Sequence, residues 1–163
     1  MAVTTQLSAE YTIQTTTPIV NSNTVDKHGK LRTLFFSHDQ DGAGDANSTV
    51  TLGKLPAGKV KIIGGLSRFY CNWVTSSQTM DIGWAAYTDL NGDAVALDVD
   101  GMVDGLDVDA VGYQSMESNT AAGKLKGGNY TFESRDGVAI QALAIAALAD
   151  GDDLCGYITY VID

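Results

Sequence analysis

The sequence predicts an all-β chain: a single-domain β-sandwich or jelly roll of about eight strands, preceded by an N-terminal arm that is flexible or spans a subunit boundary. Three observations lead there. Between Ser48 and Thr88, short apolar runs alternate with polar residues at period two and are broken by Gly and Pro, the signature of half-buried strands joined by tight turns. Eighteen glycines against two prolines indicate many tight turns, neither a collagen-like nor a disordered chain. The 163 residues suffice for one domain with its own core and are short for two, and no fixed-period repeat or heptad is visible.

Residues 1–28 read as the arm and 29–163 as the sandwich domain. The arm is rich in Thr, Gln, Ser and Asn, with apolar groups only at scattered positions such as Tyr11, Ile13, Ile19 and Val20, too few for a core. Those four are its candidate anchors on a neighbouring subunit. Leu31–Ser37 is the first strand candidate, with β-favouring Phe35 and Phe36, and 38–48 is a loop dense in turn residues. Val50 and Leu52 alternate with threonines until Leu55-Pro56-Ala57-Gly58 breaks the run. Val60, Ile62 and Ile63 follow, and Gly64-Gly65 breaks again before Ile82, Trp84 and Ala86 alternate. Asn91-Gly92 is a hairpin-turn dipeptide. Seven aspartates lie between Asp89 and Asp109 with no Lys or Arg among them, and the segment reads as an acidic surface loop or one helical turn. Residues 117–130 read as another loop, and a strand starts at Tyr130. The run Val138–Leu148 has helix formers and some helical spacing. A turn sequence follows it at once, and it is short for an isolated helix, so it is read as a strand closing a hairpin with 154–161.

Charge excludes some function classes. Ten basic against twenty acidic residues give a net charge of −10, which repels phosphate backbones and anionic lipid, so neither nucleic acid nor membrane is an expected partner. No apolar stretch approaches the roughly 20 residues needed to span a bilayer. The first residues show neither a basic n-region nor an apolar h-region, so no signal peptide is expected, and a cytoplasmic site of synthesis follows. Cys71 and Cys155 are too few for a disulfide framework; both sit in apolar runs and read as buried structural thiols.

Motifs that carry chemistry fail on inspection. Gly53–Lys59 nearly spells a phosphate-binding loop, but Val60 stands where Ser or Thr is required and a strand follows in place of a helix. Asp39 and Asp41 begin like a calcium loop, yet Ala43 and Val50 occupy ligand positions. Asp98, Asp100 and Asp104 are weak calcium candidates, with Met102 and Val103 in the wrong places; solvated surface turns are the simpler reading, and no cofactor is expected. His28 and His38 lack partners at zinc spacing, and no nucleophile elbow or paired carboxylates stand out. Tyr70, Trp73, Trp84 and Tyr87 can be read as an aromatic platform for a sugar or as core. Trp84 is read as pointing inward, and Trp73 as the residue to place at a subunit contact.

The segments TVTLGKLPAGKVKIIGG, MDIGWAAYTDLNGDAV and the terminal DGDDLCGYITYVID together resemble a class of small structural proteins of tailed bacteriophages. The matching positions are Leu55–Gly58, Ile82–Trp84 and Gly156–Val161, within residues 30–163. The resemblance implies a non-enzymatic virion protein of the capsid decoration, or cement, type. Such a protein stands as a homotrimer on the exterior of the head, bound to the major capsid protein and assembled in the host cytoplasm. Two alternatives stay open: another virion part (neck, tail or fibre-base subunit), and a carbohydrate-binding β-sandwich module.

Overall fold

The computed structural model describes residues 30–73, 78–109 and 111–162, and the expected arm with Tyr11, Ile13, Ile19 and Val20 lies outside them. Among the described residues twelve strands form, more than the eight expected: β1 Lys30–Asp39, β2 Ser48–Leu55, β3 Gly58–Ile62, β4 Arg68–Cys71, β5 Thr79–Trp84, β6 Tyr87–Thr88, β7 Ala94–Val95, β8 Asp98–Asp107, β9 Gly112–Ser115, β10 Tyr130–Ser134, β11 Val138–Ala144 and β12 Asp153–Ile162. A six-stranded sheet runs β10-β3-β12-β4-β9, with β1 on the other side of β12, and a four-stranded sheet runs β2-β11-β5-β8. The two enclose one apolar core that includes Leu55, Ile62, Phe69, Met80, Ile82, Phe132, Ile140 and Ile158. The all-β sandwich is therefore the fold.

The strand at 138–144 forms as expected, its burial alternating in strict period two. The expected closing hairpin does not. β11 pairs with β2 and β5, whereas β12 lies in the opposite sheet beside β1, β3 and β4. Both strands are apolar on their inner faces, and the turn at 149–152 carries the chain across the sandwich instead of reversing it within one sheet. The Leu55–Gly58 turn does the same between β2 and β3, with Gly58 at a φ of +106° that only glycine adopts without strain. The near phosphate-loop motif is thus a corner between sheets, and Val60 is buried in β3.

A second correction concerns the acidic segment. Residues 98–107 are strand β8, not a loop or helical turn, and bury Met102 and Val103. Two register shifts against β5, between Met80 and Ile82 and between Ile82 and Trp84, place extra residues on β8 as bulges. Bulges destroy period two, which hid this strand in the sequence. The bulged backbone folds over the outer side of β5. A Cβ on Gly83 would lie 1.9 Å from the Asp98 carbonyl oxygen, so only glycine fits there. The Asn91-Gly92 turn does close a hairpin, β6 with β7. Part of 117–130 is helical: α1, Ala121–Leu125, is capped by the Thr120 hydroxyl, which accepts from the Gly123 N–H at 3.1 Å.

Strand β12 has one neighbour on its first side and two on its second. β4 pairs with Leu154–Tyr157 and β3 with Tyr160–Ile162. Ser67, fully buried, fills the gap between them. Its hydroxyl accepts from the Thr159 N–H at 2.9 Å and donates to the Ile63 carbonyl at 2.9 Å, while the Thr159 hydroxyl donates to the Leu66 carbonyl. Ser67→Ala leaves that buried N–H without its partner. The expected cost is about 1–3 kcal/mol, seen as a midpoint lower by roughly 2–4 °C per kcal/mol in thermal unfolding.

Candidate interaction surface

Parity along β12 decides which side chains leave the core. Leu154 and Ile158 are buried inward, so Cys155 and Tyr157 project from the outer face of the six-stranded sheet. Through the pairing register, Phe35 and Ser37 of β1, Arg68 and Tyr70 of β4, and Tyr113 and Ser115 of β9 share that face. One row crosses the sheet as Phe35, Tyr157, Arg68, Ser115, and the next as Ser37, Cys155, Tyr70, Tyr113. Phe35 and Tyr157 are 6.0 Å apart between ring centroids, and Tyr70 meets Tyr113 edge-to-face at 5.4 Å. Cross-strand aromatic pairs of this kind stiffen the face.

The face is left open to solvent. Phe35 is 76% exposed, Tyr113 77% and Leu31, further along β1, 60%. A shallow depression of about 350 Å³ lies over Gly156 between Arg68, Tyr70, Tyr113 and Tyr157. The cluster combines aromatic rings with one guanidinium, Arg68, and the carboxylates of Asp39 and Asp153 border it on the same face.

The aromatics expected as a platform lie elsewhere. Trp73 is fully buried and presents no surface to a subunit, which corrects its placement at a contact. Trp84 points inward as expected, its ring against Tyr130 and Phe132 and its N–H donating to the Ala96 carbonyl. Tyr87 packs on Phe132; of the four, Tyr70 shares the open face with Tyr113. Phe35, Tyr113 and Tyr157 were missed as a group because they come from three strands distant in sequence. Strand alternation around the closing Gly-Tyr-x-x-Tyr-Val was the available signal for Tyr157.

The cysteines divide. Cys71 is buried, and burial pushes its thiol up to about 11. Cys155, expected to be buried too, is exposed because it occupies an outward position of β12. The two lie on opposite faces of neighbouring strands, and both are free thiols.

The aspartates do not converge on a cation site. Asp98 and Asp100 are neighbours on β8, and burial followed by the Asp100 side chain raises the Asp98 carboxyl above its ordinary range. Beyond the bulge, Asp104 is tied instead to Asn119, whose side-chain oxygen accepts its N–H at 2.8 Å. Among the described residues, no three His, Cys, Asp or Glu side chains form a group able to hold a metal. Nor is any helix among them long and apolar enough to cross a membrane. Asp81 is the buried carboxylate of this region and accepts the Gly105 N–H at 2.7 Å.

No protein-family model and no curated protein matches the sequence. In structure the chain is similar to a chain of infectious bursal disease virus, Gt strain, at 8% identity and a TM-score of 0.51, covering 83% of this chain and 32% of that one. It is also similar to the infectious bursal disease virus VP2 subviral particle, at 12% identity and a TM-score of 0.45, covering 83% and 33%. The chain spans about a third of the length of the chains it matches. The first of these likenesses shows a common sandwich fold.

Asp81 yields a pH prediction. Burial raises its carboxyl above the ordinary range, the Gly105 N–H opposes this, and Asp104 and Asp100 raise it further. A folded-state value above the unfolded one means the fold holds this proton more tightly, so stability is lost as pH climbs from the ordinary carboxylate range through the raised value. Asp81→Asn keeps an oxygen for Gly105 and removes the charge. Its thermal midpoint is expected above the parent's at neutral pH, with the gap closing below the ordinary carboxylate range.

Proposed function

We propose that this chain is a non-enzymatic virion structural protein, a capsid decoration subunit on the outside of a tailed-phage head that stabilises the shell through subunit contacts. The observation that carries the reading is the sandwich shared with a chain of a virus structure, on a molecule whose outer sheet face is aromatic and open. The phage resemblance of Leu55–Gly58, Ile82–Trp84 and Gly156–Val161 supplies the finer placement. An acidic chain of net charge −10 suits the exterior of a DNA-filled shell better than its lumen, because like charge repels the genome. Its partners are the major capsid protein and further copies of itself as a homotrimer, assembled in the host cytoplasm. The arm, through Tyr11, Ile13, Ile19 and Val20, reaches a neighbouring subunit.

One observation favours a second reading, a carbohydrate-binding module: the depression bounded by Tyr70, Tyr113, Tyr157 and Arg68 offers ring faces and a guanidinium to a sugar. Sedimentation of the purified protein with and without EDTA, followed by co-sedimentation with undecorated heads, separates the two. The virion reading expects a mass that is a multiple of three chains, unchanged by the chelator, and saturable binding to heads. A monomer that ignores heads and binds a glycan array through Tyr113 sinks it in favour of the second.

A further inference from the structure

We propose that β1 is a self-association edge, at which Lys30–Asp39 of one copy pairs antiparallel with the same strand of a second copy across a two-fold axis. The inference does not rest on the virion reading; it begins from backbone parity. In the register of β1 on β12, the Gln40 N–H donates to the Asp152 carbonyl, and on the far side of β12 the Ile63 and Asn72 N–H groups donate to Thr159 and Asp153. Hydrogen-bonded pairs alternate along an antiparallel ladder. Arg32, Leu34, Phe36 and His38 therefore bond β12, while Leu31, Thr33, Phe35, Ser37 and Asp39 turn their N–H and C=O groups outward from the sheet. Among the described residues, no strand pairs with that outer edge.

A ten-residue edge with every second backbone group unpaired is a template for another strand. Natural edges are guarded by lysine, proline, bulges or inward charge. Here the charges, Lys30, Arg32 and Asp39, stand at the two ends of β1, the outward positions 31–37 between them carry Leu, Thr, Phe and Ser, the strand contains no proline, and its pairing with β12 has no register shift. Leu31 and Phe35 on this strand are among the most exposed apolar side chains of the described residues.

The charge polarity of the strand favours the antiparallel orientation and a second copy of the same strand as occupant. β1 begins with Lys30 and Arg32, two of only ten basic residues in the chain, and runs out through Asp39 to Asp41. Antiparallel pairing with a second copy brings the basic end of each strand towards the acidic end of the other, with Lys30 directly opposite Gln40 and Arg32 opposite His38, whereas parallel pairing sets like against like. The register that pairs every outward residue is centred on Phe35: Leu31 faces the partner's Asp39, Thr33 faces Ser37, and the two Phe35 side chains meet beside Tyr157. Such a two-fold contact is self-complementary and fuses two six-stranded sheets into one.

The test uses full-length protein. Thr33→Pro removes an outward N–H that β12 does not use, in a strand position proline tolerates. The variant should keep the parent's circular dichroism and thermal midpoint while its sedimentation mass falls by half, from two chains to one or, for a trimeric unit, from six to three. Thr33→Val should leave the mass unchanged. In a Cys155→Ser background, Thr33→Cys combined with Ser37→Cys should give a covalent dimer on mild oxidation, and neither single cysteine should, because 33 faces 37 only in this register. A parent of one or three chains, a mass that survives Thr33→Pro, or cross-linking by either single variant overturns the proposal. A trimer indifferent to Thr33→Pro overturns the edge contact and leaves the virion reading standing.

Discussion

The arrangement depends on how one strand, β12, is shared. It pairs along its full length with β1 on one side, and its other side is split between β4 and β3. A split neighbour leaves backbone groups at the junction with no ladder partner, deep in the molecule where water cannot reach them. Ser67 resolves this with one hydroxyl that both accepts and donates, and the 3-10 turn Gly64–Leu66 positions it. An unpartnered buried amide costs more than an ordinary hydrogen bond contributes, so this joint holds the six-stranded sheet together more than its size suggests.

The sidedness of the molecule follows from β12. Once Leu154 and Ile158 point inward, Cys155 and Tyr157 must point outward, and the registers of β1, β4 and β9 carry Phe35, Tyr70 and Tyr113 to the same face. The four-stranded sheet gains no comparable surface. Its central strand β5 is covered by the bulged β8, which closes over Gly83 and Asp81, and its acidic residues remain at the rim. One outer face is therefore aromatic across β1, β12, β4 and β9, with Lys59, Lys61 and Glu133 beyond it on β3 and β10, while Asp98, Asp100, Asp104 and Asp107 lie along β8.

Much of this was legible in the chain itself. Period-two runs at 50–62 and 138–144, punctuated by glycine, marked strands and a sandwich, because alternation is a local consequence of burying one face. The inward Trp84 was legible for the same reason. What was lost was lost for identifiable causes. β8 escaped because its bulges interrupt alternation and its aspartates mimic a loop. The closing hairpin was misread because a four-residue turn between two apolar runs looks the same whether it reverses within a sheet or crosses between sheets. Cys155 and Trp73 were misplaced because an apolar neighbourhood in sequence does not say which parity faces the core.

The sequence by itself determined the all-β class, the positions of most strands, the acidic character, and the lack of any recognisable catalytic motif. These depend on residue type and short-range period. Tertiary structure alone decided strand order, the joint at Ser67, the gathering of Phe35, Tyr70, Tyr113 and Tyr157 on one face, and the outward edge of β1. Strands here find their partners far along the chain, β1 with β12 and β4 with β9 among them. Two residues a hundred positions apart share a surface only once register and parity are set, and no local pattern encodes that.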